Sequence, residues 1–164
     1  MTNKFRMNRV WACGVTAALA AGSIGVVKAQ MSTSTVQVPS EAKWGPAPPM
    51  LPPGAQIAVL AGDPGKPAPY TVRLKFPAGY DIPAHSHPTD ENVTVVSGDL
   101  FMGLGDKLNK TGAMAVGRGG YALAPAGVNH FAFTKAETTI LLYGVGPVEF
   151  KYVNPADDPR SAKK

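Results

Sequence analysis

The sequence contains one cysteine, Cys13, and only three histidines among its 164 residues. Cys13 lies in an N-terminal segment that we expect to be removed, so the mature chain is predicted to contain no disulfide and no thiolate metal ligand. Runs of residues with helical periodicity are also missing after residue 55. These absences argue against a disulfide scaffold, a cysteine-bound metal and a helical bundle.

The first 29 residues have the layout of a secretory signal peptide. Lys4, Arg6 and Arg9 form a positively charged region. An apolar run rich in small residues follows at 10–27, and the sequence VKA then precedes Gln30. A retained membrane helix is disfavoured because the many Ala and Gly residues make the run weakly hydrophobic. We therefore expect cleavage before Gln30, a periplasmic or secreted protein, and no stable membrane anchor after cleavage.

The charge of the mature chain gives no case for nucleic-acid binding. The whole chain has 16 basic and 11 acidic residues, and four of the basic residues but no acidic ones lie in segment 1–29. The mature chain is left with 12 basic and 11 acidic residues, a net charge of +1. The basic character of the whole sequence therefore reflects the export signal, and we expect no nucleic-acid partner.

The mature chain divides into three parts. Residues 30–54 are rich in Ser, Thr and Pro, and we interpret them as an extended N-terminal arm that packs Trp44 and Met50 along a sheet edge. Residues 55–153 contain short alternating or apolar runs separated by Gly, Pro, Asn and Asp. Residues 154–164 are expected to form a flexible tail.

The central part predicts an all-β fold. Its clearest strand, YTVRLKF at 70–76, places Tyr, Val, Leu and Phe on one face and Thr, Arg and Lys on the other. Similar runs, the last at 148–153, bring the total to eight or nine strands with turn signals at regular intervals. This pattern is typical of a single-domain sandwich or barrel.

Three histidines and a glutamate form the candidate site. His85 and His87 are two residues apart, so on a strand they point to the same face. Pro88 is expected to end this strand, and Glu91 opens the next one, where an antiparallel partner can return the carboxylate beside the pair. His130 follows a Pro-x-Gly turn at the start of another strand. A lone histidine is more often an ordinary polar residue, but the combined spacing favours a metal site.

This spacing resembles the two sequence motifs of the cupin superfamily. Residues 79–98 match G-x5-H-x-H-x3-E-x6-G at every defined position. Residues 119–134 match G-x5-P-x-G-x2-H-x3-N except at the last position, where Thr134 replaces the asparagine. The resemblance covers roughly residues 55–153 and is that of a small, single-domain bacterial cupin.

The resemblance implies a jelly-roll β-barrel that holds one divalent transition metal through His85, His87, Glu91 and His130. Three imidazoles and one carboxylate suit Fe, Mn, Ni, Cu or Zn, and they leave up to two positions of an octahedral ion open. Thr134 shares the strand parity of His130, so its departure from the motif affects a pocket wall or a contact behind the ligands. Asp90 is interpreted as a turn residue that points away from the site.

The walls of the site are expected to be largely apolar. The residues that share the parity of the ligands are Val93, Val95, Ala132 and Thr134. Four aromatic residues are weaker candidates, since aromatic residues in strands usually belong to the core: Phe76, Phe131, Phe133 and Tyr143. Such walls suit a small, weakly polar substrate or ligand.

Three classes of function are compatible with this site. A metal-dependent oxygenase of the dioxygenase type, acting on a small organic molecule, is favoured because open positions on a hard ligand set suit redox chemistry. A metal-dependent isomerase or lyase needs a general base independent of the metal, and the sequence offers no clear one. A non-catalytic periplasmic sensor or ligand-binding protein is the further alternative. A homodimer that exchanges the arm 30–54 is also compatible with the sequence.

Overall fold

The structure is a computed structural model that describes Val36 and residues 38–161. The predicted signal segment 1–29 lies outside these residues. The described part contains eleven strands: β1 Gly45–Pro46, β2 Gln56–Ala61, β3 Pro69–Phe76, β4 Asp81–Ser86, β5 Glu91–Ser97, β6 Leu100–Leu104, β7 Met114–Val116, β8 Tyr121–Ala124, β9 His130–Phe133, β10 Thr138–Val145 and β11 Lys151–Tyr152. It also contains three short 3-10 helices: Pro39–Glu41, Pro155–Asp157 and Pro159–Ser161. None of the described helices is long and apolar enough to cross a membrane.

The strands form two antiparallel sheets with one core between them. The six-stranded sheet has the order β1-β2-β3-β10-β5-β8, and the five-stranded sheet has the order β11-β4-β9-β6-β7. Hydrogen-bonded neighbours such as β3 and β10 are far apart in sequence, as in a jelly roll. Leu74 of the first sheet and Leu100 of the second belong to the same apolar cluster. The all-β jelly-roll prediction is confirmed.

Strand β3 shows how alternation in the sequence builds this core. Tyr70, Val72, Leu74 and Phe76 are buried, and the residues between them are partly exposed. β10 pairs with the whole of β3 and places Leu142 opposite Val72. Burying an apolar side chain of this size stabilises the fold by about 1.5–3 kcal/mol. The period of two therefore determines which face of β3 turns inward.

The described part of the arm packs against the barrel. Gly45 pairs with Ile57, which makes β1 an edge strand of the six-stranded sheet. The Lys75 ammonium group lies 4.6 Å from the centroid of the Trp44 ring. Leu51 is buried in the core cluster. The arm thus covers one end of the six-stranded sheet and becomes part of the wall described below.

The last predicted strand, 148–153, is shorter in the structure. Only Lys151 and Tyr152 pair with β4. The preceding residues make other hydrogen bonds: the Val148 N–H donates to the Pro64 carbonyl at 2.8 Å, and the Glu149 carbonyl accepts from a histidine of the site. Because these backbone groups are already engaged, the chain runs across the mouth of the barrel before it joins the sheet.

The C-terminal segment, expected to be flexible, contains two of the 3-10 helices. The Asn154 side chain accepts a hydrogen bond from the Ala156 N–H at 3.1 Å and caps the first of them. Arg160 pairs with Asp158 at 2.7 Å and donates to the Phe150 carbonyl at 2.9 Å. These contacts connect the segment up to residue 161 to the chain beside the candidate site.

Candidate metal centre

The three histidines lie together at one end of the five-stranded sheet. His85 of β4 and His130 of β9 are opposite each other in the antiparallel ladder, and their ring centroids are 4.4 Å apart. His87 follows the last residue of β4, and its ring centroid lies 4.8 Å from that of His85 and 5.1 Å from that of His130. All three side chains are buried. The His-x-His spacing therefore brings two rings to one side, and the β4–β9 ladder adds the third.

Each ring is oriented by a hydrogen bond from Nδ1 to a backbone carbonyl. The acceptors are Pro83 for His85 at 2.7 Å, Glu149 for His87 at 2.7 Å and Val128 for His130 at 3.0 Å. A carbonyl oxygen only accepts, so Nδ1 carries the hydrogen and Nε2 of the neutral ring keeps its lone pair. The three histidines offer ligand atoms that lie within 4.8 Å of one another. Within the described part of the chain, Nε2 of His87 and Nε2 of His130 are buried without a hydrogen-bond partner.

Glu91 approaches the histidines from the other sheet. It opens β5, which pairs with β10 and β8 rather than with β4, so the expected return as a partner strand of β4 does not occur. Its Oε1 lies 3.5 Å from Nε2 of His87, and its Oε2 lies 3.6 Å from Nε2 of His130. The carboxylate thus spans two of the three ring nitrogens across the mouth of the barrel.

The site shifts the pKa values of its groups in opposite directions. Burial, together with repulsion from the other two histidines, lowers the pKa of His85 to about 3. Burial also acts to lower the pKa of His87, but the Glu91 carboxylate, 3.5 Å away, outweighs it and leaves that pKa raised. Burial opposes ionisation of Glu91, yet the adjacent His130 and His87 hold its pKa well below the ordinary value. An anionic carboxylate therefore faces imidazoles of unequal basicity.

Phe150 forms a wall of the site that the sequence analysis did not single out. Its ring stacks on His85 with a centroid distance of 4.4 Å and an interplanar angle of 15°, and it meets His87 edge-on at 4.5 Å. The chain before β11 carries it there, and Arg160 holds its carbonyl. The only signal in the sequence is a pair of aromatic residues at alternate positions, Phe150 and Tyr152.

Two apolar cavities and one larger, more polar cleft adjoin the candidate ligands. The cleft, of about 600 Å³, is lined by His87, Glu149 and Lys151 among others. The larger of the two apolar cavities, of about 180 Å³, lies between the arm, the inner face of the six-stranded sheet and Phe150, and it reaches Glu91. The smaller, of about 30 Å³, is lined by His85, His130 and Glu91 together with core side chains. Glu91 and Phe150 line both cavities. The larger apolar cavity is thus a space for a small molecule beside Glu91 and Phe150, which both contact the histidines.

The walls differ in part from the expected set. Val93, Ala132 and Phe76 line the smaller cavity. The remaining expected wall residues line neither of the two cavities: Val95, Thr134, Phe131, Phe133 and Tyr143. Val95 and Thr134 share the parity of the ligands but lie farther along the chain than the cavity reaches. Phe131, Phe133 and Tyr143 alternate with the lining residues Ala132 and Leu142, so they lie on the opposite face of their strands.

Thr134 connects two turns instead of lining a pocket. Its hydroxyl donates to the Pro77 carbonyl at 2.8 Å and accepts from the Tyr80 N–H at 3.2 Å. The Thr134 N–H donates to the Tyr80 carbonyl at 2.9 Å. The side chain is buried, and its contacts fasten the end of β9 to the turn between β3 and β4. The departure from the motif therefore lies away from the ligand atoms.

Asp90 has the structural role expected of a turn residue. Its Oδ1 accepts a hydrogen bond from the Ala126 N–H at 2.8 Å. The neighbouring Gly127 N–H donates to the carbonyl of His87 at 2.8 Å. These two bonds hold the loop before His130 against the turn after His87, and they thereby fix the position of one ring relative to the other.

Two antiparallel sheets in jelly-roll order, with three histidines gathered at one end, define the protein as a cupin. The chain belongs to the family described as a domain of unknown function, DUF4437, whose model matches residues 34–162. None of the curated proteins matches the sequence.

Solved structures of the same fold come from several bacteria. An acetylacetone dioxygenase from Acinetobacter johnsonii is 19% identical, with a TM-score of 0.59, covering 75% of this chain and 80% of that one. The polyketide cyclase RemF from Streptomyces resistomycificus is 17% identical, with a TM-score of 0.59, covering 77% and 90%. An RmlC-like cupin from Shewanella frigidimarina is 14% identical, with a TM-score of 0.54, covering 69% and 91%. At these identities, the likeness is one of fold.

Proposed function

We propose that this protein binds one divalent transition metal through His85, His87, His130 and Glu91 and acts as a metal-dependent oxygenase on a small organic molecule. The observation that carries the metal site is the convergence of the ring nitrogens. Each Nδ1 is used by a backbone carbonyl, and the Nε2 atoms face one another beside a carboxylate. Burying an Nε2 lone pair that accepts no hydrogen bond costs free energy, and a cation bound by these lone pairs removes that cost.

The donor set fits a borderline metal ion. Imidazole nitrogens and a carboxylate suit Fe, Mn, Ni, Cu or Zn. The order of affinities among these ions is nearly the same for any such site, so it does not identify the native metal. When bound, such an ion supplies Lewis acidity and, if it is redox-active, electrons for chemistry with dioxygen. Glu91 would balance one of the two positive charges of the ion, because the three imidazoles bind it as neutral groups.

The surrounding residues orient the ligands and exclude water. The three carbonyl acceptors fix the planes of the rings, and Phe150 covers the face of His85. The cavity of about 180 Å³ provides an almost entirely apolar space next to Glu91. An apolar wall keeps bulk water from a reactive centre and strengthens electrostatic interactions within it.

The fold by itself is compatible with more than one reaction. Structures of this fold include an acetylacetone dioxygenase and a polyketide cyclase, so the likeness does not choose between oxidation and rearrangement. A non-catalytic ligand-binding role and an isomerase or lyase remain the alternatives. We favour the oxygenase because the two apolar cavities contain no carboxylate or histidine outside the proposed ligand set that can act as an independent base, whereas Glu149 lines only the more polar cleft beside His87. The motif at residues 1–29 supports export to the periplasm as part of this proposal.

The metal is tested by elemental analysis of the exported protein, purified without a histidine tag. We expect about one divalent ion per chain, and a small fraction of that in His85→Ala, His87→Ala and His130→Ala. Glu91→Gln should also lower occupancy, whereas Asp90→Asn should not, because the asparagine oxygen can still accept the hydrogen bond from the Ala126 N–H. Equal metal content in the wild type and all the histidine variants would eliminate the site.

The reaction is tested by oxygen uptake of the Fe-, Mn-, Cu- and Ni-loaded forms across a panel of small diketones, phenols and enols. We expect one loaded form to consume oxygen with at least one compound, and Asp90→Asn to retain that activity. Tight binding of a panel compound without oxygen consumption by any form would favour the ligand-binding alternative. Conversion of a compound without oxygen uptake would favour the isomerase or lyase.

A further inference from the structure

The larger apolar cavity beside the candidate metal centre is almost devoid of polar groups. Its lining consists of apolar side chains, a glycine, Glu91 and Tyr70, and it contains no lysine, arginine or histidine. No cation of the lining is available to pair with an anionic group, and Glu91 already faces His87 and His130. Burying an unpaired charge in such a space is strongly unfavourable. The lining therefore selects an uncharged occupant.

The size of the cavity sets the size of that occupant. An apolar cavity of about 150 Å³ is large enough for benzene. The present cavity, of about 180 Å³, thus has room for one six-membered ring with a small substituent. Typical sites for drug-sized ligands begin at about 300 Å³, so a two-ring compound is too large.

Tyr70 lines both this cavity and a small space beside the candidate ligands. It lies opposite Gly144 in the β3–β10 ladder. A Cβ atom at Gly144 would lie 3.4 Å from the Tyr70 hydroxyl and 3.0 Å from the carbonyl of Asp90. The tight contact is the one with the Asp90 carbonyl, so the absence of a side chain at Gly144 lets the turn that carries Glu91 approach β10 beside the Tyr70 hydroxyl. A small space of about 10 Å³ is lined by Tyr70, His87 and Glu91.

The Tyr70 hydroxyl is available for a ligand. The hydroxyls of three other tyrosines each donate to an oxygen of the protein: Tyr80 to Pro52, Tyr121 to Asn92 and Tyr152 to Met50. Among the described residues, the hydroxyl of Tyr70 has no such acceptor, although the residue is buried. The hydroxyl oxygen is not fully enclosed by protein, so a ligand atom can reach it. The wall of the larger apolar cavity shows almost no polar surface, so the hydroxyl meets a ligand where the ligand's oxygen extends from this cavity into the small space lined by Tyr70, His87 and Glu91.

We propose that this cavity binds an uncharged molecule of about one six-membered ring that carries a carbonyl or enol oxygen, and that Tyr70 donates a hydrogen bond to this oxygen. The inference rests on the proposed function in that the cavity is the substrate site of the metal centre. Tyr70 is then a positioning residue that directs the oxygen-bearing end of the substrate toward Glu91 and the histidines. The arm residues close the opposite, apolar side of the space.

The test uses two probes of nearly equal shape, cyclohexanone and methylenecyclohexane, and measures their affinities for the full exported protein by isothermal titration calorimetry. Tyr70→Phe should weaken the binding of cyclohexanone by about three- to tenfold, the value of one neutral hydrogen bond. The same variant should leave methylenecyclohexane within about twofold, because this probe accepts no hydrogen bond. Tyr143→Phe, at an exposed tyrosine, should change neither affinity.

A second variant tests the location independently of Tyr70. Ile57 lines the cavity, so Ile57→Phe should weaken both probes, whereas Val59→Phe at an exposed position of the same strand should not. The proposal is overturned if the wild type binds neither probe, if Tyr70→Phe affects both probes equally or neither, or if Ile57→Phe has no effect. All titrations are made with metal-loaded and metal-stripped protein, and the metal content is measured in each sample. If only the proposed metal site is wrong, no ion will be found in the samples. Tyr70→Phe will then still weaken the binding of cyclohexanone and leave that of methylenecyclohexane unchanged.

Discussion

His85 and His130 face each other across the β4–β9 ladder, with ring centroids 4.4 Å apart. The distance between their rings is therefore fixed by backbone hydrogen bonds between two strands and not by a flexible loop. Their Nδ1 atoms donate to the carbonyls of Pro83 and Val128, each two residues before the histidine in the chain. A site held by rigid strands keeps its geometry with or without an ion, and this preorganisation favours metal affinity.

Metal binding is expected to depend on pH mainly through His87. Burial acts to lower the pKa of His87, but Glu91 outweighs it and raises this pKa above its ordinary value, so a proton competes with the metal for Nε2 at and below neutral pH. His85, with a pKa lowered to about 3, stays neutral over the same range and adds no competition. Affinity should therefore fall as the pH decreases from 8 to about 5.5, in the range where His87 becomes protonated. Titrations with Zn²⁺ or Co²⁺ at several pH values measure this, and a constant affinity over that range would contradict the assignment of His87 as a ligand.

Phe150 is expected to support the metal site through its stacking on His85. Phe150→Ala removes the contact at 4.4 Å and opens the wall between cavity and ligands, so metal affinity should fall by about tenfold. The loss of a half-buried aromatic side chain should also lower the free energy of unfolding by about 2 kcal/mol. Phe101→Ala is the control, because Phe101 is half-buried and stacks on Phe133 away from the histidines. Equal metal affinities of these two variants would show that Phe150 acts on stability alone.

Thr134 is expected to affect stability and not metal binding. Thr134→Val keeps the shape but loses the bonds to Pro77 and Tyr80, and the unpaired groups should cost about 1–3 kcal/mol of unfolding free energy. Thr134→Asn, which restores the motif residue, should retain the metal as well. Denaturant unfolding and metal analysis measure the two effects separately. The control is Thr139→Val, at a partly exposed β10 position whose side chain makes no hydrogen bond within the described residues. If Thr134→Val loses the metal under conditions in which the variant is still folded, Thr134 affects metal binding directly and this prediction is refuted.

Export is expected to remove the first 29 residues. The positive region, the apolar run and the VKA sequence before Gln30 place the new N-terminus at or next to that residue. Intact-mass measurement of the protein from the periplasmic fraction checks the position. Arg6→Glu together with Arg9→Glu should retain the precursor in the cell, because the positive region is needed for signal-peptide function. Recovery of a chain that still begins at Met1 from the membrane fraction would favour the retained-helix alternative.

Several features of the fold and the candidate site could be predicted from the sequence alone. The alternation in 70–76 predicted which face of β3 is buried, since a period of two maps directly onto the two faces of a strand. The spacing of His85 and His87 predicted rings on one side for the same reason. The two motifs added His130 and Glu91 to the set. These features depend on local geometry and on spacing along the chain, and the sequence contains both.

The partners of each strand and the walls of the site were decided only by the tertiary structure. The local pattern around Glu91 suggested pairing with β4, yet β5 lies in the opposite sheet, and its carboxylate meets His87 across the barrel. Phe150 reaches the site because the backbone before β11 is bonded to other segments. Strand pairing in a jelly roll is set by burying two apolar faces against each other over long separations in the chain. No local pattern encodes that choice, so the cavity, the Tyr70 hydroxyl and the connection made by Thr134 emerge only when the sheets have closed.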